Sequence, residues 1–278
     1  MNSILIPTDF SHTSYNTISY GIALAAALQA KTLVLYNAYQ PFVSDDPAFD
    51  PILLNDISTY KSISEEGLEK IKTAFHSQIP SSIQVIYESD YNTIEEGIKN
   101  ACEKHNTELI IMNITGEPGG IEEILIGSTA VSLSRHSKIP VLIIPQEAKY
   151  NGLKKVLLAL DFKKLEQTTP AAEINKILDA TDAALNIVHV EHNQVDAGKA
   201  FTSEKNILDI LFANHKPEYH FIQGEAVTST INNFADEIGA DLMIIVPKKH
   251  SFLENIFKGS STKKLVFHSH IPVLSIHE

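Results

Sequence analysis

Residues 127–145 read GSTAVSLSRHSKIPVLIIP and residues 259–277 read GSSTKKLVFHSHIPVLSIH, with ten identities in nineteen positions and no gap. The similarity extends toward the amino terminus. NSILIPTDFS aligns with KKVLLALDFK, which places Asp9 on Asp161, and the next aliphatic segment of each half places Asn37 on His189. Because self-similarity of this kind marks repeated structural units, we predict two diverged copies of one domain, residues 1–148 and 152–278.

The composition narrows the class of protein. The chain has 278 residues, of which 44% are hydrophobic and 20% charged, and its formal net charge is −12. A nucleic-acid-binding protein would need a clustered basic surface, so neither RNA nor DNA is an expected partner. The single cysteine, Cys102, excludes an intramolecular disulfide framework and favours a reducing compartment. The sequence has neither a signal peptide nor an 18-residue apolar segment, so we expect a cytoplasmic protein without a membrane span.

Short aliphatic runs alternate with amphipathic segments in each copy. Such runs are typical of buried parallel strands, and five are predicted in the first copy: Ser3–Pro7, Thr32–Tyr36, Ile83–Tyr87, Leu109–Met112 and Val141–Ile144. Two helical stripes lie between them. One contains Tyr15, Ile18, Ile22 and Ala26, and the other follows a capping pair, Asn92 and Glu95, and contains Ile94, Ile98, Ala101 and Cys102. The pattern predicts an α/β fold, with a parallel sheet covered by helices on both faces.

The loops after the strands are the candidate ligand sites, since open parallel sheets bind ligands outside the carboxyl ends of their strands. The first strand is followed by Pro7, Thr8 and Asp9. The Asp9 carboxylate could accept hydrogen bonds from a ligand, or it could cap the following helix.

A second candidate follows the fourth strand. Met112 and Asn113 lead into a glycine-rich loop that contains Gly116, and Gly127, Ser128 and Thr129 open a helix. Glycines and a helix start favour a phosphate, although glycines also simply permit turns. The loop lacks Lys and Arg, so a phosphate there would need backbone donors, hydroxyls or a divalent ion.

The run ILIPTDFS, the glycine loop before GST and the closing RHSKIPVLII resemble the universal stress protein family in its tandem form. The resemblance covers essentially the whole chain. It implies two flavodoxin-like or Rossmann-like domains with five-stranded parallel sheets, docked as an intramolecular pseudo-dimer. In such a pseudo-dimer the closing strands VLII (141–144) and VLSI (273–276) would meet.

The resemblance also implies a ligand, which is ATP, alone or with Mg²⁺. Carried over by position, the adenine and ribose contacts fall on Pro7, Thr8, Asp9, the backbone of Ala38 and Met112, and the phosphate contacts on Gly116, Gly127, Ser128 and Thr129. The sequence departs from the ATP-binding pattern at Asn113, which replaces the first glycine, and by one extra residue before Gly127.

We therefore expect an adenine-nucleotide-binding protein of stress response or signalling, with no predicted catalytic residue. The second copy has lost the leading glycines of its loop, Val246–Ser251, so its role is structural or regulatory. One alternative is a module of the same fold that binds an unknown protein partner instead of a nucleotide, and another is a weak ATP hydrolase. A homo-oligomer is possible.

Histidines raise one further alternative, a zinc site in the second copy. Its candidate ligands are His189, His192, His268 and His270, but no known metal-ligand spacing is present. His136 and His268 share one repeat position just before the closing strand, which is more typical of a side chain that bonds the backbone at a helix end.

Overall fold

The computed structural model describes residues 1–40, 57–113, 128–162, 164–191, 197–224, 226–247 and 271–277. Strands and helices alternate through both copies. The first copy contains β1 (Ser3–Pro7), α1 (His12–Ala27), β2 (Thr32–Tyr39), α2 (Ile57–Phe75), β3 (Gln84–Tyr91), α3 (Ile94–His105), β4 (Leu109–Asn113), α4 (Ser128–His136) and β5 (Val141–Ile144). The second contains β6 (Lys155–Ala159), α5 (Leu165–Thr168), α6 (Ala171–Thr181), β7 (Ala184–Glu191), α7 (Ala197–Leu211), β8 (Glu218–Gln223), α8 (Val227–Ile238), β9 (Leu242–Ile245) and β10 (Val273–Ser275).

The contacts divide the chain into two compact units, Met1–Met112 and Asn113–Glu278. In the first unit the strands lie in the order β3-β2-β1-β4, and the pairs β1–β2, β1–β4 and β2–β3 are all parallel. Every residue of β1 is buried. This explains why its sequence is continuously apolar rather than alternating, since it has strands on both sides and helices on both faces.

The aliphatic runs underestimate β2 and β3 at their carboxyl ends. Both strands continue beyond the aliphatic runs through residues that pair with one another: Asn37 with Ser89, Ala38 with Asp90, and Tyr39 with Tyr91. A search for apolar runs stops at the first polar residue, whereas the backbone ladder continues. The extension matters because these residues form the edge of the sheet at which ligands are expected.

The second unit contains a complete five-stranded parallel sheet in the order β8-β7-β6-β9-β10. On its far side β10 pairs with β5 in antiparallel register, with Leu274 opposite Leu142. The prediction that the closing strands of the two copies meet is therefore confirmed. The buried hydroxyl of Ser275 adds a hydrogen bond of 2.9 Å to the carbonyl oxygen of Ser134, which satisfies an acceptor near the end of α4.

The predicted helical stripes are correct in their centres. Ile18 and Ile22 are buried in α1, but Ala26 is exposed and Ala25 is buried in its place. In α3 the free thiol of Cys102 is buried, as expected of a small hydrophobic residue, and burial raises its pKa to about 11.

The predicted cap of α3 is wrong by one residue. The cap is Thr93, whose side-chain oxygen accepts a hydrogen bond from the backbone N–H of Glu96, so Asn92 and Glu95 are not the capping pair. Asn92 instead accepts a hydrogen bond from the backbone N–H of Thr93 and donates one to the carboxylate of Asp90. Asn and Thr are both suitable N-cap residues, and here the hydrogen bond from Asn92 to Asp90 of β3 leaves Thr93 as the cap.

Among the described residues, no helix combines the length and the hydropathy that a membrane span requires.

Candidate functional site

The chain turns sharply after β1. Thr8 is buried, its N–H donates to the carbonyl oxygen of Tyr36 at 2.8 Å, and its hydroxyl accepts from the N–H of Phe10 at 3.1 Å. Phe10 has φ of +63°, a left-handed conformation that a bulky residue adopts only where its surroundings impose it. The turn leaves Asp9 exposed at the carboxyl end of β1.

The carboxylate of Asp9 is held in one orientation by two serines at the start of α1, the N-cap Ser11 and Ser14. Its Oδ1 atom accepts hydrogen bonds from the backbone N–H of Ser11 at 3.0 Å, from the Ser11 hydroxyl at 2.6 Å and from the Ser14 hydroxyl. Ser11, not Asp9, is the N-cap of the helix, because its side chain accepts from the N–H of Ser14. Asp9 therefore supports the cap while its side chain stays at the surface.

These hydrogen bonds set the charge of the site. Partial burial acts to raise the pKa of Asp9, but the hydroxyls of Ser11 and Ser14 and the N–H of Ser11 favour the carboxylate more strongly. The net result is a lowered pKa, so Asp9 is an anion and a hydrogen-bond acceptor at neutral pH. Among the described residues, the hydrogen bonds to this carboxylate all end on Oδ1.

A series of buried hydrogen-bonded side chains, the polar chain of Asn37, Ser64 and Ser89, stabilises the loop after β1. The amide nitrogen of Asn37 donates to the carbonyl oxygen of Thr8 at 2.7 Å. Its amide oxygen accepts from the Ser64 hydroxyl at 2.6 Å, and that hydroxyl lies 2.7 Å from the hydroxyl of Ser89. The polar chain thus links the loop after β1 to β2, α2 and β3 by hydrogen bonds. Sequence reasoning missed Ser64 and Ser89, and the alignment of Asn37 with His189 was its one signal of this network.

Two other predicted contact residues lie at the same edge. Ala38 lies near the carboxyl end of β2, and Met112 is buried near the end of β4, with Asn113 as the last residue of that strand. Because β1 pairs in parallel with both β2 and β4, the carboxyl ends of all three strands lie at one edge of the sheet. The structure therefore brings Pro7, Thr8, Ala38 and Met112 together with Asp9 at that edge.

The predicted phosphate contacts are described only in part. Gly116 and Gly127 lie outside the described residues. Ser128 begins α4 and Thr129 is half-buried in its first turn, which contains no acidic residue. These four positions stay predictions.

The family follows from the sequence as a whole. The sequence model of the Universal stress protein family matches the chain twice, over residues 1–145 and 152–277. The chain belongs to the universal stress protein family. Its tandem form and its α/β fold, as predicted, are thereby confirmed.

This universal stress protein resembles relatives of one and of two copies. It is 27% identical over 147 residues to a universal stress protein of Methanocaldococcus jannaschii, which is 52% of this chain and 83% of that protein. It is 24% identical over 305 residues to one from Synechocystis, with 99% of each chain covered. A crystal structure from Archaeoglobus fulgidus has 20% identity and a TM-score of 0.73 over 99% of this chain and 98% of that one, so the fold is the same.

The second copy of this universal stress protein arranges the equivalent residues differently. Asp161, the counterpart of Asp9, is only 4% exposed. His189, the counterpart of Asn37, donates from Nδ1 to the carbonyl oxygen of Leu160 at 2.9 Å, so the link from the second strand to the loop after the first is kept. The loop that carries Lys248 and Lys249 lies outside the described residues.

The histidines do not form a metal centre within the part of the chain that is described, where no group of three metal-ligating side chains occurs. His189 donates a hydrogen bond from Nδ1 to a backbone carbonyl oxygen. The other three candidate ligands, His192, His268 and His270, lie outside the described residues. His136 bonds the carbonyl oxygen of Ser132 at 3.0 Å in the last turn of α4, which confirms the predicted role at a helix end.

Proposed function

We propose that this universal stress protein binds ATP, alone or with Mg²⁺, at the carboxyl edge of β1, β2 and β4 in its first copy. Its cellular role is then that of a nucleotide-dependent binding protein in stress response or signalling. The observation that carries the proposal is the exposed carboxylate of Asp9, which α1 orients at the strand edge where parallel sheets bind their ligands.

The described residues suit the two ends of a nucleoside. Because Oδ1 of Asp9 is occupied by the serines, Oδ2 can accept from a ribose hydroxyl or an exocyclic amine. The side chain of Met112 and the ring of Pro7 are buried at the same edge and supply apolar contact for a planar base. The backbone of Ala38 contributes polar groups beside them. Family membership supports the predicted phosphate contacts at Gly116, Gly127, Ser128 and Thr129.

The same features argue for binding rather than turnover. A general base works best when its pKa lies near the operating pH, and the pKa of Asp9 is lowered instead. The segment 113–129 contains neither Lys nor Arg to neutralise a transferring phosphoryl group. We therefore expect hydrolysis of ATP to be slow if it occurs.

Equilibrium dialysis with labelled ATP tests the proposal, with Gly127→Val as the disabling variant. A valine at this position would block the close approach of a phosphate to the backbone, so saturable binding should be lost. Gly259→Val is the matched control, because Gly259 is the repeat-equivalent glycine of the second copy and its loss should leave the affinity unchanged. Asp9→Asn should weaken binding about tenfold, the effect of one charged hydrogen bond.

Two results of the ATP dialysis would contradict the proposal. If the wild-type protein shows no saturable binding of ATP, the nucleotide role fails, and the fold is then that of a module that binds a protein partner. If both glycine variants bind like the wild type, the phosphate contacts lie elsewhere.

A further inference from the structure

The two copies can be compared at equivalent positions of their strand ladders. In the first copy Asn37 of β2 lies opposite Ser89 of β3, and in the second copy His189 of β7 lies opposite Phe221 of β8. Asn37 and His189 each donate to the carbonyl of the residue that precedes the aspartate. The same places are therefore filled by a hydrogen-bonded amide and hydroxyl in one copy and by two aromatic rings in the other.

A third ring completes the aromatic cluster of the second copy. Phe162, the residue after Asp161, stacks on His189 with ring centroids 4.6 Å apart and planes 10° from parallel. Phe221 meets Phe162 edge to face at 5.6 Å and lies 6.3 Å from His189. Phe162 has φ of +48°, a left-handed conformation that its counterpart Phe10 shares with φ of +63°. The loop after β6 is thus folded onto the ends of β7 and β8.

The equivalent phenylalanine of the first copy points elsewhere. The ring of Phe10 packs on Gly67 of α2 so closely that a Cβ there would lie 2.5 Å from a ring carbon. Phe75 ends α2, and the buried Phe212 directly follows α7. Counting back eight residues from each reaches Gly67 in the first copy and Glu204 in the second. A ring in the position of Phe10 needs a glycine beneath it, which the second copy lacks.

The two copies also differ in the exposure of the aspartate that follows their first strand. Asp9 is exposed, whereas Asp161 is 4% exposed beside the aromatic cluster. We infer that the cluster of Phe162, His189 and Phe221 closes the carboxyl edge of the second copy against ligands, so that the chain takes one nucleotide rather than two. The closure is argued from the ring contacts and from the burial of Asp161, and the count of nucleotides rests in addition on the proposed function.

Carboxyl labelling with a carbodiimide and an amine, read by peptide mass spectrometry, tests the closure without any nucleotide. In the native protein Asp9 should be labelled and Asp161 protected, and in urea both should be labelled. Phe221→Ser, which installs the residue of the first copy, should raise the labelling of Asp161 several-fold, whereas the matched Phe221→Leu should not. Phe221 is 37% exposed, so either replacement is tolerable for the fold.

Two results of the labelling would overturn the inference: labelling of Asp161 as fast as Asp9 in the wild type, or no change in Phe221→Ser. Dialysis against saturating ATP supplies the second arm. One nucleotide per chain, lost in Gly127→Val, supports the inference, and two per chain refute it. If no ATP binds, the proposed function fails, and the labelling still decides whether the second edge is closed.

Discussion

Replacing Asn37 by alanine removes the centre of the buried polar chain behind the candidate site. Asn37 is 8% exposed and Ser64 1% exposed, so water cannot easily take the place of the lost amide. The Thr8 carbonyl would lose a hydrogen bond of 2.7 Å, and the Ser64 hydroxyl would lose one of 2.6 Å but keep its contact with Ser89. An orphaned buried carbonyl costs about 1–3 kcal/mol and a lost neutral bond about 1 kcal/mol, so we expect a destabilisation of about 2–4 kcal/mol.

Urea unfolding followed by circular dichroism measures this cost, and peptide-resolved hydrogen exchange locates it. Exchange should accelerate in β1 and the loop after it more than in β6, since the lost bond anchors only the first copy. Asn100→Ala is the control, because Asn100 is exposed on α3 and its replacement should change stability by less than about 0.5 kcal/mol. An Asn37→Ala protein as stable as the control would refute the assigned role of the polar chain.

Three other outcomes follow from single contacts. Gly97→Ala would place a Cβ 1.9 Å from the hydroxyl oxygen of the buried Tyr36, so it should cost about 1–3 kcal/mol in urea unfolding. Tyr36→Phe should recover part of that loss when combined with it, and no recovery would contradict the clash. Burial acts to raise the pKa of Glu88, but the hydrogen bond of 2.5 Å to His105 and the other hydrogen bonds of the carboxylate outweigh this and lower the pKa. The ionised Glu88 therefore stabilises the folded protein at neutral pH, and this stabilisation is lost as the pH falls through a folded pKa below 4.5. Glu88→Gln should therefore be less stable than wild type at pH ~7 by about 1–3 kcal/mol and nearly equal to it at pH ~3, and a gap independent of pH would count against the pair. Iodoacetamide at pH ~8 should leave Cys102 unmodified in the native protein and modify it in urea, because burial raises the pKa of the thiol to about 11. Rapid modification of the native protein would disprove the burial of this thiol.

The parts of the fold that repeat were accessible from sequence. The segments 127–145 and 259–277, which end in the closing strands, share ten identities, and β5 begins and ends where its aliphatic run does. The polar ends of β2 and β3 were not accessible in this way, because Asn37 and Ser89 belong to the strands through backbone pairing rather than hydropathy. Periodicity likewise placed Ile18 and Ile22 correctly, yet it lost its phase by one residue at Ala26.

The candidate site was predictable only where its residues are consecutive. Pro7, Thr8 and Asp9 follow one strand, so the rule for parallel sheets finds them together. Ser64 and Ser89 reach the same place from α2 and β3, and nothing in their local sequence distinguishes them from surface serines. Which of the two roles Asp9 has was also undecidable, since the choice of Ser11 as the helix cap depends on hydroxyl positions in the folded turn.

The two copies keep the same strand order while the residues beside the aspartate differ. Asparagine and histidine each present an N–H donor two bonds beyond Cβ, so the exchange of Asn37 for His189 preserves the bond to the carbonyl after the first strand. That bond is under strong physical constraint, because a buried carbonyl without a donor weakens the core. The opposite strand position carries no such constraint. A phenylalanine in place of Ser89 keeps the backbone ladder intact and sets its ring edge-on to Phe162 and His189, in the copy whose aspartate is buried. The two copies therefore share the sheet and this backbone bond, and they differ in the side chains beside the aspartate.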